Sequence, residues 1–232
     1  LSDASGEYEV YVRPSDGTGA ARRITTDGEI WRFPPLWAPD GKRLAYGDKK
    51  NRLRVVEVAS GRSTEVDTAT VGNEITTYVW SPDGQHLVWV KTDASGLQRL
   101  WHYAIDGSAA QLTFGDFDAQ NPAFDPKGRY LYFLSNRDHN LSFSSYEFNY
   151  LYTNATRIYA ATLAADGPAL GRPKSDEIPA VAEATANPEK PKAEPKKPIR
   201  FDTAGFDARI TALGVAAGTY GGLTANAKGV LY

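Results

Sequence analysis

The sequence predicts an all-β fold: a β-propeller section of about four blades' worth, built from four-stranded antiparallel blades. Three observations predict it. An aromatic–x–Pro–x–Gly hairpin occurs three times, as Trp37-Ala-Pro-Asp-Gly41, Trp80-Ser-Pro-Asp-Gly84 and Phe124-Asp-Pro-Lys-Gly128. The three glycines are 43 and 44 residues apart, the period of a four-stranded propeller blade. A second pattern, Asp3-Ala-Ser-Gly6 followed by Tyr8 to Tyr11, returns 90 residues later as Asp93-Ala-Ser-Gly96 followed by Gln98 to Trp101.

Each hairpin is justified locally. Pro sets φ ahead of the turn and Gly accepts a positive φ within it, so the chain reverses sharply between two strands. The strands that follow alternate apolar residues, as in Leu87 and Trp89 or Leu131 and Phe133. The second pattern reads as outer strands, so the chain opens on a half blade at 1–25. Full blades follow at about 33–67, 77–114 and 121–215, and a further half blade at 220–232. The third full blade carries two insertions, 139–154 and 165–198. The second of these, through Asn187 to Pro198, is rich in Pro and Lys and lacks an apolar anchor, which predicts an extended surface loop. Outer strands at one end and inner strands at the other would complete one blade and close a ring of four. The chain of 232 residues contains no Met, however, and is expected to be a section of a longer protein with a larger ring.

Composition narrows the function. The 26 basic and 28 acidic residues leave a net charge of −2, so no field is available to attract nucleic acid. No apolar run reaches the length of a membrane helix, and the N-terminus lacks the basic-then-apolar pattern of an export signal. Absence of Cys removes thiolate metal sites and cysteine nucleophiles. No His-x-x-x-His or Gly-x-Ser-x-Gly pattern is present, so no catalytic, metal or cofactor-binding residue is assigned.

Individual residues read as follows. His86 and His102 are expected on solvated strand faces, and His139 in a loop beside Asp138. Asp40, Asp83 and Asp125 lie in or beside the turns and are expected to accept hydrogen bonds from nearby backbone amides. Lys190, Lys192, Lys196, Lys197 and Arg200 form a solvated basic tether, and the tripeptides at Asn140 and Asn154 match a glycosylation pattern that short chance matches also satisfy. Tyr146, Phe148, Tyr150 and Tyr152 alternate at period two. They form one aromatic strand face, either covering the blade rim or serving as an interaction surface for a neighbouring domain or subunit.

The hairpin copies resemble the repeat of TolB-like proteins, prolyl-oligopeptidase relatives and tricorn peptidases. Narrower segments resemble the tricorn-type serine peptidase family. They are Asn136-Arg-Asp138, Phe143-Ser-Ser-Tyr146-Glu-Phe148-Asn-Tyr150, Thr156-Arg-Ile-Tyr159-Ala, Phe201-Asp202 and Gly205-Phe-Asp-Ala-Arg209-Ile210. Gly214 departs from that pattern, which has Pro before the stretch Val215, Gly218, Tyr220. The resemblance implies a section of a second, seven-bladed propeller ahead of the catalytic half. It implies a non-catalytic filter or channel for peptides and an assembly scaffold, with the rest of the parent peptidase and further copies as partners. It further implies a cytoplasmic location, or a periplasmic one if the parent carries a signal peptide. Two alternatives remain at this point: a stand-alone TolB-like interaction module, and the propeller lid of a prolyl-oligopeptidase-like hydrolase.

Overall fold

The computed structural model describes residues 1–138, 141–143, 150–152, 155–168, 170 and 198–232. Two short antiparallel strands come first, β1 (Tyr11–Val12) and β2 (Arg22–Arg23). Three four-stranded antiparallel sheets follow, the first two of them meanders of sequential strands. The first sheet runs β3 (Leu36–Trp37), β4 (Arg43–Gly47), β5 (Arg52–Glu57), β6 (Ser63–Thr68). The second runs β7 (Tyr78–Trp80), β8 (His86–Thr92), β9 (Gln98–Ala104), β10 (Ala109–Gln111). The third starts with β11 (Ala119–Phe124) and β12 (Tyr130–Ser135). A separate hairpin of β13 (Leu141–Phe143) and β14 (Tyr150–Tyr152) interrupts it, and β15 (Arg157–Thr162) and β16 (Ile210–Ala212) complete it. The last pair is β17 (Thr224–Asn226) and β18 (Gly229–Leu231). The opening and closing pairs are separate two-stranded sheets and do not join into one blade.

The three repeated turns share one geometry. Gly41, Gly84 and Gly128 have φ of 69°, 71° and 66°, and their N–H groups bond back to the carbonyls of Ala38, Ser81 and Asp125 at 2.8–2.9 Å. Asp side chains finish the turns: Asp40 accepts from the Lys42 amide at 2.9 Å, Asp83 from Gln85 at 3.1 Å and Asp125 from Arg129 at 3.2 Å. These are short-range interactions, so each hairpin needs little beyond its own residues.

Packing between sheets follows from strand alternation. On β8, Leu87 and Trp89 face the first sheet and join Ala45, Leu53, Val55 and Ile75 in one cluster, while Val88 and Val90 face the third sheet and join Leu131, Phe133 and Tyr159 in another. A third cluster of Val10, Ile24, Leu44, Tyr46 and Val56 seals the opening pair to the first sheet. The first boundary also holds polar links: Trp80 Nε1 donates to the Leu36 carbonyl at 3.2 Å and Trp89 Nε1 to Asp67 at 3.0 Å. Fully burying such large side chains stabilises by about 2–3 kcal/mol each. Gly47 marks the closest approach, since a Cβ there would lie 2.1 Å from the carbonyl oxygen of Ile75.

At the opening boundary the core is charged. Arg32 and Glu9 are both buried and pair at 3.2 Å, with Asp27 also on the guanidinium. Thr25 bonds the Glu9 carboxylate and accepts the Val10 amide at 2.9 Å. Thr113 repeats the latter contact in the second full blade, accepting the Leu100 amide at 3.0 Å.

Candidate interaction site

The segments that a bare propeller repeat does not require come together around the third sheet. Asn136 accepts the Asp118 amide at 2.9 Å, which ties the end of β12 to the crossover from the preceding sheet. Arg137, next in sequence, lies over Phe117, Tyr159 and Phe133, with 4.4, 5.2 and 5.7 Å from its guanidinium carbon to the ring centroids. Asp207, in a one-turn 3-10 segment before β16, faces it at 3.6 Å. Burial pushes the Arg137 guanidinium below its usual pKa, although Asp207 and Tyr159 oppose the shift. The aromatic rings thus take over much of the cation's solvation.

Asp138 closes the base of the first insertion. It accepts the Tyr159 hydroxyl at 2.6 Å and forms an ion pair with Arg157 at 2.8 Å. Burial, then the bond to the Asp138 carboxylate, pushes the Tyr159 phenol well above its usual pKa. The pairing Ser135↔Arg157 places the two ends of the insertion side by side, and its inner hairpin pairs Leu141↔Tyr152 and Phe143↔Tyr150. The stretch around Gly218 reaches the same place, with the Gly218 amide bonded to Thr156 at 2.9 Å.

The second insertion is clamped in the same way. Asp202 accepts the Ala165 amide at 2.8 Å and pairs with Arg200 at 2.8 Å, while Arg200 also reaches Asp166 at 3.0 Å. The Ala165 amide, followed by Arg200, holds the Asp202 carboxyl below its usual pKa. Arg209 stitches the returning chain down, donating to the carbonyls of Thr162 at 3.1 Å, Ala204 at 2.8 Å and Asp202. Both insertions therefore leave the blade from fixed, ion-paired bases.

Of the four aromatic residues expected to form an interaction surface, Tyr150 and Tyr152 lie on β14, while Tyr146 and Phe148 lie outside the described residues. The same holds for His139, for Asn140 and Asn154, and for the lysines of the basic tether. The histidine expectation needs correction. His102 is buried at 3% exposure and His86 is half-buried, and the two rings bond to each other at 3.0 Å. The reason is tertiary: Phe201 stacks on His102 at 4.1 Å, covering a strand face that is open in a bare blade. Sequence reasoning also missed Arg137 as a partner of Phe117, because nothing in either local pattern announces the contact. Among the described residues, no group of three or more His, Asp or Glu side chains is placed to hold a metal ion.

Comparison with known proteins adds to this geometry. The family model described as "Tricorn protease second beta propeller domain" matches residues 1–232. Tricorn protease homolog 1 of Streptomyces coelicolor is 31% identical over 236 residues, covering 100% of this chain and 22% of that protein. The tricorn protease of Thermoplasma volcanium is 32% identical over 162 residues, covering 63% of this chain and 15% of that protein. The crystal structure of the tricorn protease superposes with a TM-score of 0.66 at 18% identity, over 90% of this chain and 19% of the other. The chain thus spans about one fifth of the length of the relatives it matches.

Proposed function

The chain belongs to the tricorn protease family as its second β-propeller domain, and from that we propose that it filters and guides peptides for a serine peptidase and helps to scaffold its assembly. The observation that carries this reading is the family match along the whole chain, joined to a span of only 22% of the first relative. Bond-making chemistry is assigned to the remainder of the parent protein. What this section contributes is shape: packed blades and two insertions with clamped bases. A rigid base suits a filter, since an element that selects by size or shape must hold its position against its cargo. The same reading places the parent in the cytoplasm and gives it contacts to further copies through the first insertion.

Two experiments test it. The purified chain is expected to leave short peptides intact, and serine-inhibitor-sensitive cleavage by pure material would overturn its non-catalytic role. In the parent peptidase, removing residues 141–152 is expected to alter kcat/KM for long peptides while leaving the shortest ones unaffected. Equal kcat/KM for all lengths before and after removal would sink the filter.

A further inference from the structure

The chain returning from the second insertion crosses onto the neighbouring blade. Ile199 donates its amide to Asp83 at 2.8 Å, and its carbonyl lies 3.0 Å from His86 Nε2. On the other side of the ring, His86 Nδ1 is 3.0 Å from His102 Nε2. Phe201 covers both rings, stacked on His102 at 4.1 Å and tilted over His86 at 5.5 Å, and it packs in turn on Phe206 and Phe124. Ile199 fits against the third sheet at Gly128, where a Cβ would come within 2.4 Å of its side chain.

The carbonyl fixes the protons. It only accepts, so His86 Nε2 carries a proton and, in the neutral ring, Nδ1 is a bare acceptor. His102 Nε2 must then donate to it. This relay satisfies the Ile199 carbonyl, both His86 nitrogens and His102 Nε2 when both rings are neutral. One additional proton is accommodated if His102 moves its own proton to Nδ1. A second is not, because two imidazolium rings would set N–H against N–H at 3.0 Å in a site closed by Phe201.

We propose that residues 198–202 form a proton-released latch between the second and third full blades, closed while the His86–His102 pair holds at most one extra proton and opened when each ring takes its own. The sign follows from proton counting: the open state binds more protons, so falling pH favours it. Burial agrees, holding the His102 imidazole far below its ordinary value, at about 3. Among the described residues, four groups of charge surround the pair and the latch. Asp83, on the turn before β8, and Asp106, on the turn after β9, face the pair and favour its first proton. Against Ile199, the turn of the third sheet carries Lys127 together with Arg129 and Asp125, which pair with each other at 2.7 Å. The latch's own Arg200 and Asp202 are paired with one another. Among the described residues, no carboxylate lies between the two ring nitrogens to relieve a second proton.

Amide hydrogen exchange tests this, read at Ile199 and Asp202 between pH 7.5 and 4.5 and corrected for the intrinsic rate. Protection is expected to fall below about pH 6, approaching tenfold per pH unit, the slope for one proton. In His102→Gln the side-chain amide donates its N–H to neutral His86 and, turned over, accepts from protonated His86 through its oxygen, yet takes no proton itself, so protection is expected to stay level. Asp83→Asn is expected to lower protection at every pH and to keep the slope. Level protection in the unaltered protein, an unchanged slope in His102→Gln, or loss of the slope in Asp83→Asn would each overturn the latch. Should His102→Gln fail to fold, the ¹⁵N shifts of the two histidines decide. Both rings fully protonated while Ile199 stays protected would refute the proposal; a second proton taken up only as protection is lost would uphold it.

Discussion

At the scale of single residues, buried polar groups decide the behaviour of this protein. His102 is neutral in the fold and its pKa drops from 6.5 to about 3. The unfolded chain therefore binds a proton that the native chain refuses between these values, and stability falls as pH falls through that window. Chemical denaturation at pH 7 and pH 5 is expected to differ by about 2 kcal/mol from this residue, at 1.36 kcal/mol per unit, and His102→Phe is expected to remove most of the difference. Tyr159 makes a second case, since its hydroxyl donates to a carboxylate inside the blade. Tyr159→Phe leaves Asp138 with Arg157 alone and is expected to cost about 1.5–3 kcal/mol, the range for hydrogen bonds to charged groups. An unfolding free energy from urea titration lowered by less than a tenth of that would show that Asp138 is satisfied without the phenol. Neither pair was visible in the sequence: His86 and His102 are 16 residues apart, and each looks like an ordinary strand histidine.

At the scale of elements, the hairpins and their junctions respond differently to the same kind of change. Gly41 has φ of 69° and open space around its Cβ position, so Gly41→Ala tests backbone strain alone and is expected to cost about 1 kcal/mol. Gly47 lies on a strand with ordinary φ but against a backbone carbonyl. Gly47→Ala must push the first two full blades apart, and a loss of about 1–3 kcal/mol is expected from overpacking. Thermal melts of the two variants separate the effects, because only the second should also loosen Tyr78, whose hydroxyl accepts the Gly47 amide and donates to Pro34. The turn glycines were legible from Pro-x-Gly recurring at a blade's spacing. Gly47 was not, since its constraint comes from Ile75 in the crossover to the next blade, 28 residues away.

At the scale of the whole molecule, the opening and closing strand pairs are each two-stranded, so among the described residues β1 and β18 have ladder partners on one side only. Light scattering of the 232-residue chain is expected to give an average mass that rises with concentration, as unpaired edges recruit strands from other copies. A constant monomer mass over a hundredfold range would show the edges to be protected. The sequence by itself determined the all-β class, the blade repeat and the family, because turn chemistry and strand alternation act over a few residues and recur at a fixed period. Only the tertiary structure decided where the insertions are clamped, which histidine is buried and how the strap at 198–202 crosses between blades. Those outcomes depend on contacts such as Ile199 with Asp83, 116 residues apart, and no local pattern encodes which distant surface a returning chain will meet.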